Sequence, residues 1–331
     1  MNVTMKELAR LCGVSEGTVD RALNHRQGIR EETRRRVLEM AEKLQYTPNK
    51  LAQSLARGAT MTIGIVCFDL HNNLFASLVD AVENAAKEKG YFINLVLTHG
   101  EPQKEREGIR YLSQRRVDGL IIFPVGMGEE YASRLKSLKI PVVTVYNRIS
   151  KDFPYVGVDD RSVFRKAVLH LAQKGYERVL FSTVEYTKRR KEGVNVYALE
   201  KRQEGYLEGV REAGLSGGPV ILEGRDFPRL LGPYLQKGGP KTAVLCICDT
   251  YALEVLDFCR DGGFTPPEGL GVMGYDNIGL LQYVRPRPAT VEYNVKKLGE
   301  TLFSTLYDQM RGIPVPESSF MEYRFVDGDA V

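Results

Sequence analysis

The sequence predicts a small all-α head followed by a two-lobed α/β body with doubly wound parallel sheets. Three observations predict it. Strand-like alternation is absent before Thr62, and the first 47 residues read as three short helices. From Thr62 onward strands alternate with helices of 10–15 residues, the pattern of parallel sheets covered on both faces. That alternation runs for about 270 residues, more than one such sheet usually holds, so two sheets flanking a cleft are expected.

The elements follow in order. Thr4 is placed to cap the first helix, with Glu7 closing a capping box, Leu8 and Leu11 forming its apolar stripe, and Gly13 ending it. Ser15 caps a second helix containing Thr18 and Val19. A third runs from about Glu32 to Leu44, with Val37, Met40, Ala41 and Leu44 on one face. A tight glycine turn between the first two helices is the helix-turn-helix shape. Thr47-Pro48-Asn49 breaks the pattern. The stretch from Lys50 to Ala56 reads as helical, but is too short to be stable alone in water.

In the body, strands are expected at Ile63–Phe68, Tyr91–Leu97, Gly119–Phe123, Pro141–Tyr146, Tyr155–Val158, Val179–Thr183, Val220–Leu222, Val244–Cys248 and Leu270–Tyr275. Phe75, Leu78, Val79, Val82 and Ala86 mark a helix that stops at Gly90. Ligands of such sheets sit beyond the C-terminal ends of the strands.

Composition narrows the class. Residues 1–60 hold 11 basic and 7 acidic residues, so the whole excess of +4 lies in the head. A basic head on a neutral body is the footprint of nucleic-acid binding, although a solvated basic helix such as Arg34-Arg35-Arg36 gives the same count. No run of 18 apolar residues exists, and the N-terminus lacks the pattern of a secretory signal, so a cytoplasmic, membrane-free location is expected. Five cysteines fit a reducing compartment, with Cys246 and Cys248 expected on one face of a strand. The four histidines have no metal-ligand spacing, and neither a metal nor a cofactor is expected. No G-x-G-x-x-G, G-x-x-x-x-G-K-[ST] or G-x-S-x-G motif supports an enzyme. A stand-alone solute-binding protein of the two-lobed kind is the other alternative. It would lack the head and carry a signal peptide.

Several stretches together resemble the LacI/GalR family of bacterial regulators. The head reads Val3-Thr4 to Leu8-Ala9, then Gly13-Val14-Ser15-Glu16-Gly17-Thr18-Val19-Asp20-Arg21-Ala22-Leu23-Asn24, then Tyr46-Thr47-Pro48-Asn49 and Leu55. The family pattern there is V-T-x-x-x-[VIL]-A, G-V-S-x-x-T-V-S-R-x-L-N. In the body, Gly271-Val272-Met273-Gly274-Tyr275-Asp276, Arg202-Gln203-Glu204-Gly205-Tyr206 and Cys248-Asp249-Thr250-Tyr251-Ala252 are similar to three further family stretches. The resemblance implies a periplasmic-binding-protein-like body, and a homodimer that binds operator DNA and a small polar effector, sugar-like in preference to purine-like.

It also implies the domains and site residues. The head spans 1–47, a hinge helix and linker 48–60, and the effector-binding unit 61–331. Within that unit one lobe is about 61–157 with 289–316, and the other about 158–288 with 317–331. Glu16 and Gly17 would meet base edges, and Arg21 would reach guanine or phosphate. Thr4, Ser15, Thr18 and Asn24 would hold phosphates. Asn49, Ala52 and Leu55 would face the operator centre, with Leu55 wedging into the minor groove. Phe75, Tyr146, Arg202, Phe227, Asp249 and Asp276 would line the effector cleft, Arg202 and Asp276 as opposing polar walls. On this reading Arg202→Ala abolishes ligand-induced stabilisation and leaves the ligand-free melting point nearly unchanged.

Three departures from the family stand out. Asp20 replaces a serine, and is expected either to turn away from the phosphates, toward Arg21 or Arg34, or to weaken binding. Arg30 replaces a small hydroxyl residue before the third helix, which removes a cap worth about 1 kcal/mol. Residues 186–201, with Lys188-Arg189-Arg190-Lys191, are longer than the usual loop and read as a solvated insertion, contact with an acidic effector being the lesser alternative.

Overall fold

The computed structural model describes residues 3–46, 59–235 and 239–331. They form two compact units that divide between Met61 and Thr62. The expected hinge helix, with Asn49, Ala52 and Leu55, lies outside the described residues.

The head contains α1 (Met5–Cys12), α2 (Glu16–Leu23) and α3 (Glu31–Lys43). Local chemistry sets each boundary. The Thr4 hydroxyl accepts from the Glu7 N–H, and the Glu7 carboxylate accepts from the Thr4 N–H at 2.8 Å, closing the capping box. Gly13 ends α1 with φ 63°, a left-handed conformation that suits glycine. Ser15 caps α2 by accepting from the Thr18 N–H. Arg30 precedes α3 without a side-chain cap, as its chemistry dictates. Leu8, Ala9, Cys12, Val19, Ala22, Val37 and Ala41 form the head's core. Leu11 does not join them: it is 51% exposed, one position off the buried stripe of Leu8, Ala9 and Cys12.

The larger unit holds two parallel sheets. The first runs β11-β5-β4-β3-β1-β2, from Ser318–Phe320, Tyr155–Gly157, Val142–Thr144, Gly119–Ile122, Thr62–Cys67 and Phe92–Leu97. The second runs β7-β6-β8-β9, from Val220–Glu223, Arg178–Thr183, Thr242–Cys246 and Gly271–Met273. An antiparallel pair, β10 (Thr290–Tyr293) with β12 (Tyr323–Val326), carries the chain between them. Strand β11 pairs with β5 in the first sheet, so the second lobe's final segment begins beyond Phe320 and not at 317. Parallel pairing needs a strand re-entering from elsewhere in the chain, and short Ser318–Phe320 has no periodicity to announce it. Cys246 ends β8, whereas Cys248 is the residue that precedes the next helix, so the two do not share a strand face.

Helices cover both sheets. Asn73–Glu88 (α4) and Val295–Met310 pack together at Gly299, where an added Cβ would lie 2.5 Å from that of Ala81. In the second lobe Tyr197–Ala213 lies on Asp160–Gln173 through Gly205. A Cβ there would sit 2.1 Å from the Arg161 carbonyl oxygen, which is backbone and cannot swing aside. Gly205→Ala should therefore cost about 1–3 kcal/mol by overpacking, read by urea denaturation. An unchanged midpoint would show that the two helices separate freely.

Candidate functional site

The head presents α2. Its first residues, Glu16 and Gly17, and Arg21 one turn on, are exposed, while Val19 and Ala22 face the core. A helix held by its apolar back presents its N-terminal side chains outward, the geometry that reads base edges in a helix-turn-helix. The Ser15 hydroxyl meets that of Thr18 at 2.9 Å. Asp20 turns to neither Arg21 nor Arg34. Its carboxylate accepts from Arg26 at 3.0 Å and from the Asn24 amide at 2.8 Å. That amide also donates to the Asp20 carbonyl, so Asn24 braces the end of α2 with the group assigned to a phosphate.

In the body a cavity of about 330 Å³ opens where the strand ends of both sheets meet. Its walls come from residues just beyond β1 (Phe68, Asp69), β3 (Val125), β4 (Tyr146, Asn147), β6 (Val184), β8 (Ile247, Cys248) and β9 (Asp276), joined by the start of α4. This is the position that parallel α/β sheets reserve for ligands. Tyr146 (φ 66°) and Asp276 (φ 111°) hold left-handed backbone conformations that side chains disfavour, and Asp276 is followed by Asn277 at φ 49°. Strain of this kind gathers at functional loops.

Arg202 and Asp276 both line the cavity, as do Phe75 and Tyr146. Arg202 is not a free wall. Only 4% exposed, it donates from Nε to Asp160 Oδ1 at 3.0 Å and from Nη1 to the Ile247 carbonyl at 2.8 Å. Its guanidinium lies 4.4 Å from the Tyr275 ring centroid and 5.3 Å from that of Tyr146. Asp160 also accepts from the Tyr275 hydroxyl at 3.0 Å. Burial pushes the Asp160 carboxyl up, and the Arg202 guanidinium works against that shift. Burial also opposes the Arg202 charge, yet Asp160 and its neighbours outweigh it and hold the guanidinium protonated. Asp276 is likewise pushed well up by burial, opposed by Arg202, and accepts from the Tyr293 hydroxyl at 2.9 Å.

Two assigned residues leave the cleft. Phe227 is buried against Tyr251 and Phe258, and Tyr251 is the aromatic of that lobe that reaches the cavity. Helical spacing alone does not tell these rings apart. Asp249 is fully buried away from the cavity. It accepts from the Thr290 hydroxyl at 2.6 Å and the Ile278 N–H at 2.9 Å, tying the strand-end loops together. Burial pushes its carboxyl up to about 7.

Other wall residues were not anticipated. Asn147 donates to the Pro124 and Asn195 carbonyls, both at 2.9 Å, and accepts from the Ala198 N–H at 3.1 Å. Asn195 donates to the carbonyls of Gly126 (3.2 Å) and Arg148 (3.0 Å). Buried Glu105 fixes the same loop by accepting from the N–H groups of Val125 and Gly126 at 2.8 and 2.7 Å. The result is a strap from the first lobe to the 186–201 segment. Asparagine at a strand end, as in Tyr146-Asn147, was the available signal.

Comparison with known proteins agrees with this architecture. The family pattern described as bacterial regulatory proteins, lacI family, matches residues 4–49, and the periplasmic binding protein-like domain matches residues 168–331. The chain is 31% identical over 303 residues to catabolite control protein A of Staphylococcus epidermidis, covering 88% of this chain and 87% of the relative. It belongs to the LacI family. A second relative, the HTH-type transcriptional repressor PurR of Vibrio vulnificus, is 29% identical over 315 residues, covering 93% of this chain and 92% of its own. The solved lac repressor dimer, bound to operator and an anti-inducer, superposes with a TM-score of 0.85 at 20% identity, covering 100% of this chain and 99% of that one. The chain is thus a DNA-binding transcriptional regulator of the LacI family, with a helix-turn-helix head and a two-lobed sensor. Among the described residues of this LacI-family regulator, no helix is long and apolar enough to cross a membrane.

Proposed function

We propose that the chain is a repressor that acts as a homodimer and is released or engaged by one small polar effector per subunit, bound between the lobes. The observation that carries this is the cavity itself, walled from both lobes by Arg202, Asp276, Phe75 and Tyr146. A molecule seated there touches both sheets, so its affinity differs between open and closed lobe angles. Only such a difference shifts the equilibrium. A buried guanidinium and carboxyl beside aromatic faces suit a polyhydroxylated ring. Related proteins named as repressors, and a relative solved with bound ribose, support the same reading.

On the DNA side, Glu16, Gly17 and Arg21 read bases, and Thr4, Ser15 and Thr18 position the head on phosphates. Two heads of a dimer then read half-sites about one helical turn apart, roughly 34 Å. Arg21→Ala should weaken operator binding by about 1–3 kcal/mol and relax preference at one base position, measured by gel shift against a randomised operator. Equal affinity with an intact fold would remove Arg21 from the base-reading set. The sensor reading is tested by calorimetric titration of sugars and purines into the full-length protein. Saturable binding that Asp276→Asn weakens supports it. Full binding by that variant overturns the cleft assignment.

A further inference from the structure

The cleft carries a positive charge for which a neutral polyhydroxylated ring has no use. Three arginines line it: Arg189, Arg202 and Arg225. Arg202 is committed to Asp160, and Arg225 to Glu254 at 3.1 Å, its guanidinium 4.9 Å from the Tyr251 ring centroid. In the same short helix as Arg189 (Tyr186–Lys191), Arg190 is paired with Glu200 at 3.1 Å. Arg189, by contrast, has no carboxylate within ion-pair distance among the described residues. Two carboxyls share the cavity wall with it. Asp69 is turned into its own loop, accepting from the N–H groups of His71 and Asn72 at 2.8 and 3.1 Å, and Asp276 is bound to Tyr293.

The position of Arg189 matters as much as its charge. It belongs to the segment that the Asn147–Asn195 strap fastens to the first lobe. Its Nη1 lies 3.4 Å from where a Cβ would project at Gly100, in the loop after β2 on that lobe. The exposed guanidinium therefore reaches the first lobe's Gly100 loop, and both line the cavity. The 16-residue helix α4 begins at the same cavity wall, but its N-terminus is already met by the Asp69 carboxylate and the Asn72 cap, which leaves Arg189 as the cation without a partner. A planar fork with five donors matches the oxygens of a phosphate or carboxylate.

We infer that the effector bears an oxyanion, phosphate or carboxylate, on a polyhydroxylated skeleton, and that Arg189 clamps it across the mouth while Arg202 and Asp276 hold the hydroxyls inside. This rests on the cleft being the effector site. It gives the basic insertion a role in choosing ligands, and sets anionic metabolites apart from their neutral parents.

The test uses the full-length protein and matched sets of probes: glucose, glucose 6-phosphate and gluconate; ribose, ribose 5-phosphate and ribonate; and inorganic phosphate alone. Thermal shift finds the binders and calorimetry gives their affinities. A charged member should bind at least about ten-fold more tightly than its neutral parent, and added salt should weaken it. Arg189→Ala should lower that affinity about 10- to 100-fold, the range of a lost charge-assisted hydrogen bond, and Arg189→Lys should recover part of it. The phosphate and carboxylate arms tell the two oxyanions apart. A neutral sugar that binds as tightly as its charged partners, or a charged ligand indifferent to Arg189→Ala, overturns the inference. If Asp276→Asn still weakens binding in those cases, the cleft reading survives. Binding by no member of any set overturns both.

Discussion

Removing the Arg202 side chain should lower the melting temperature of the ligand-free protein by on the order of 10 °C, as well as abolish effector binding. The sequence by itself suggests a silent change, because an arginine on a cleft wall has water as its alternative partner. The structure removes that alternative. Asp160 and Arg202 are 6% and 4% exposed, and truncating one leaves the other as an uncompensated buried charge. Breaking such a pair costs about 3–5 kcal/mol, and one kcal/mol is worth about 2–4 °C in a unit of this size. Arg202→Met combined with Asp160→Asn should recover much of the loss, since no unpaired charge then remains. Without Arg202 the main opposition to burial is gone and the Tyr275 hydroxyl remains to oppose it, so the folded pKa of Asp160 rises further above its unfolded value. The single variant should therefore regain stability as the pH falls, where Asp160 is protonated in both states. Scanning calorimetry of the two variants at two pH values checks this. A ligand-free melting point equal to that of the parent would show that the pair does not hold the lobe together.

The second large effect belongs to Asp249. Its carboxyl is pushed up to about 7 in the folded protein, from an unfolded value of about 3.9. The sign follows from that direction. Its contribution to stability is fully present below the unfolded value and is lost as the pH rises toward 7. Across that window the loss is roughly 4 kcal/mol, at about 1.4 kcal/mol per pH unit. Asparagine has the same shape and keeps an oxygen for the Ile278 N–H and an amide for the Thr290 hydroxyl. Asp249→Asn should therefore gain on the parent protein from about pH 4 to about pH 7 and level off above that, measured by urea denaturation at each pH. A constant difference between the two would mean that Asp249 titrates as an exposed carboxylate does. Asp249→Ala, which strands both donors, should be destabilised at every pH.

These two residues also mark how far the sequence alone could be followed. Caps at Thr4 and Ser15, the glycine stop at Gly13 and most of the strands are written in local spacing, and the structure places them within a residue or two. Arg202 and Asp276 were found because each sits in a short, recognisable stretch, and both line the cavity. What the sequence hid is what distant segments do to one another. Asp160 meets Arg202 across 42 positions, and Asp249 meets Thr290 across 41. Whether Phe227 or Tyr251 reaches the cleft is decided by the rotation of two helices, which a period of 3.6 does not report. The basic insertion is solvated as expected, Lys188 to Lys191 all being exposed, and nothing in its own composition says that Arg189 also lines the cavity.

The order in which the lobes are assembled along the chain has a consequence for how the protein is made. The first sheet is completed only by β11 at Ser318–Phe320, and its covering helix arrives at Val295–Met310. The second lobe ends on Ala330, whose carbonyl accepts from the Val272 N–H at 2.9 Å and whose own N–H donates to the Arg287 carbonyl. Neither lobe can finish folding before those last segments leave the ribosome. The head is built from its first 46 residues through neighbours close in sequence, and such units fold early during synthesis. Each nascent chain thus owns a finished DNA-reading unit for most of its translation, at about 5–20 residues per second, before it owns a sensor to govern it. A single head lacks the second half of a two-fold reader, so requiring two completed bodies to pair would keep unfinished chains from occupying the operator.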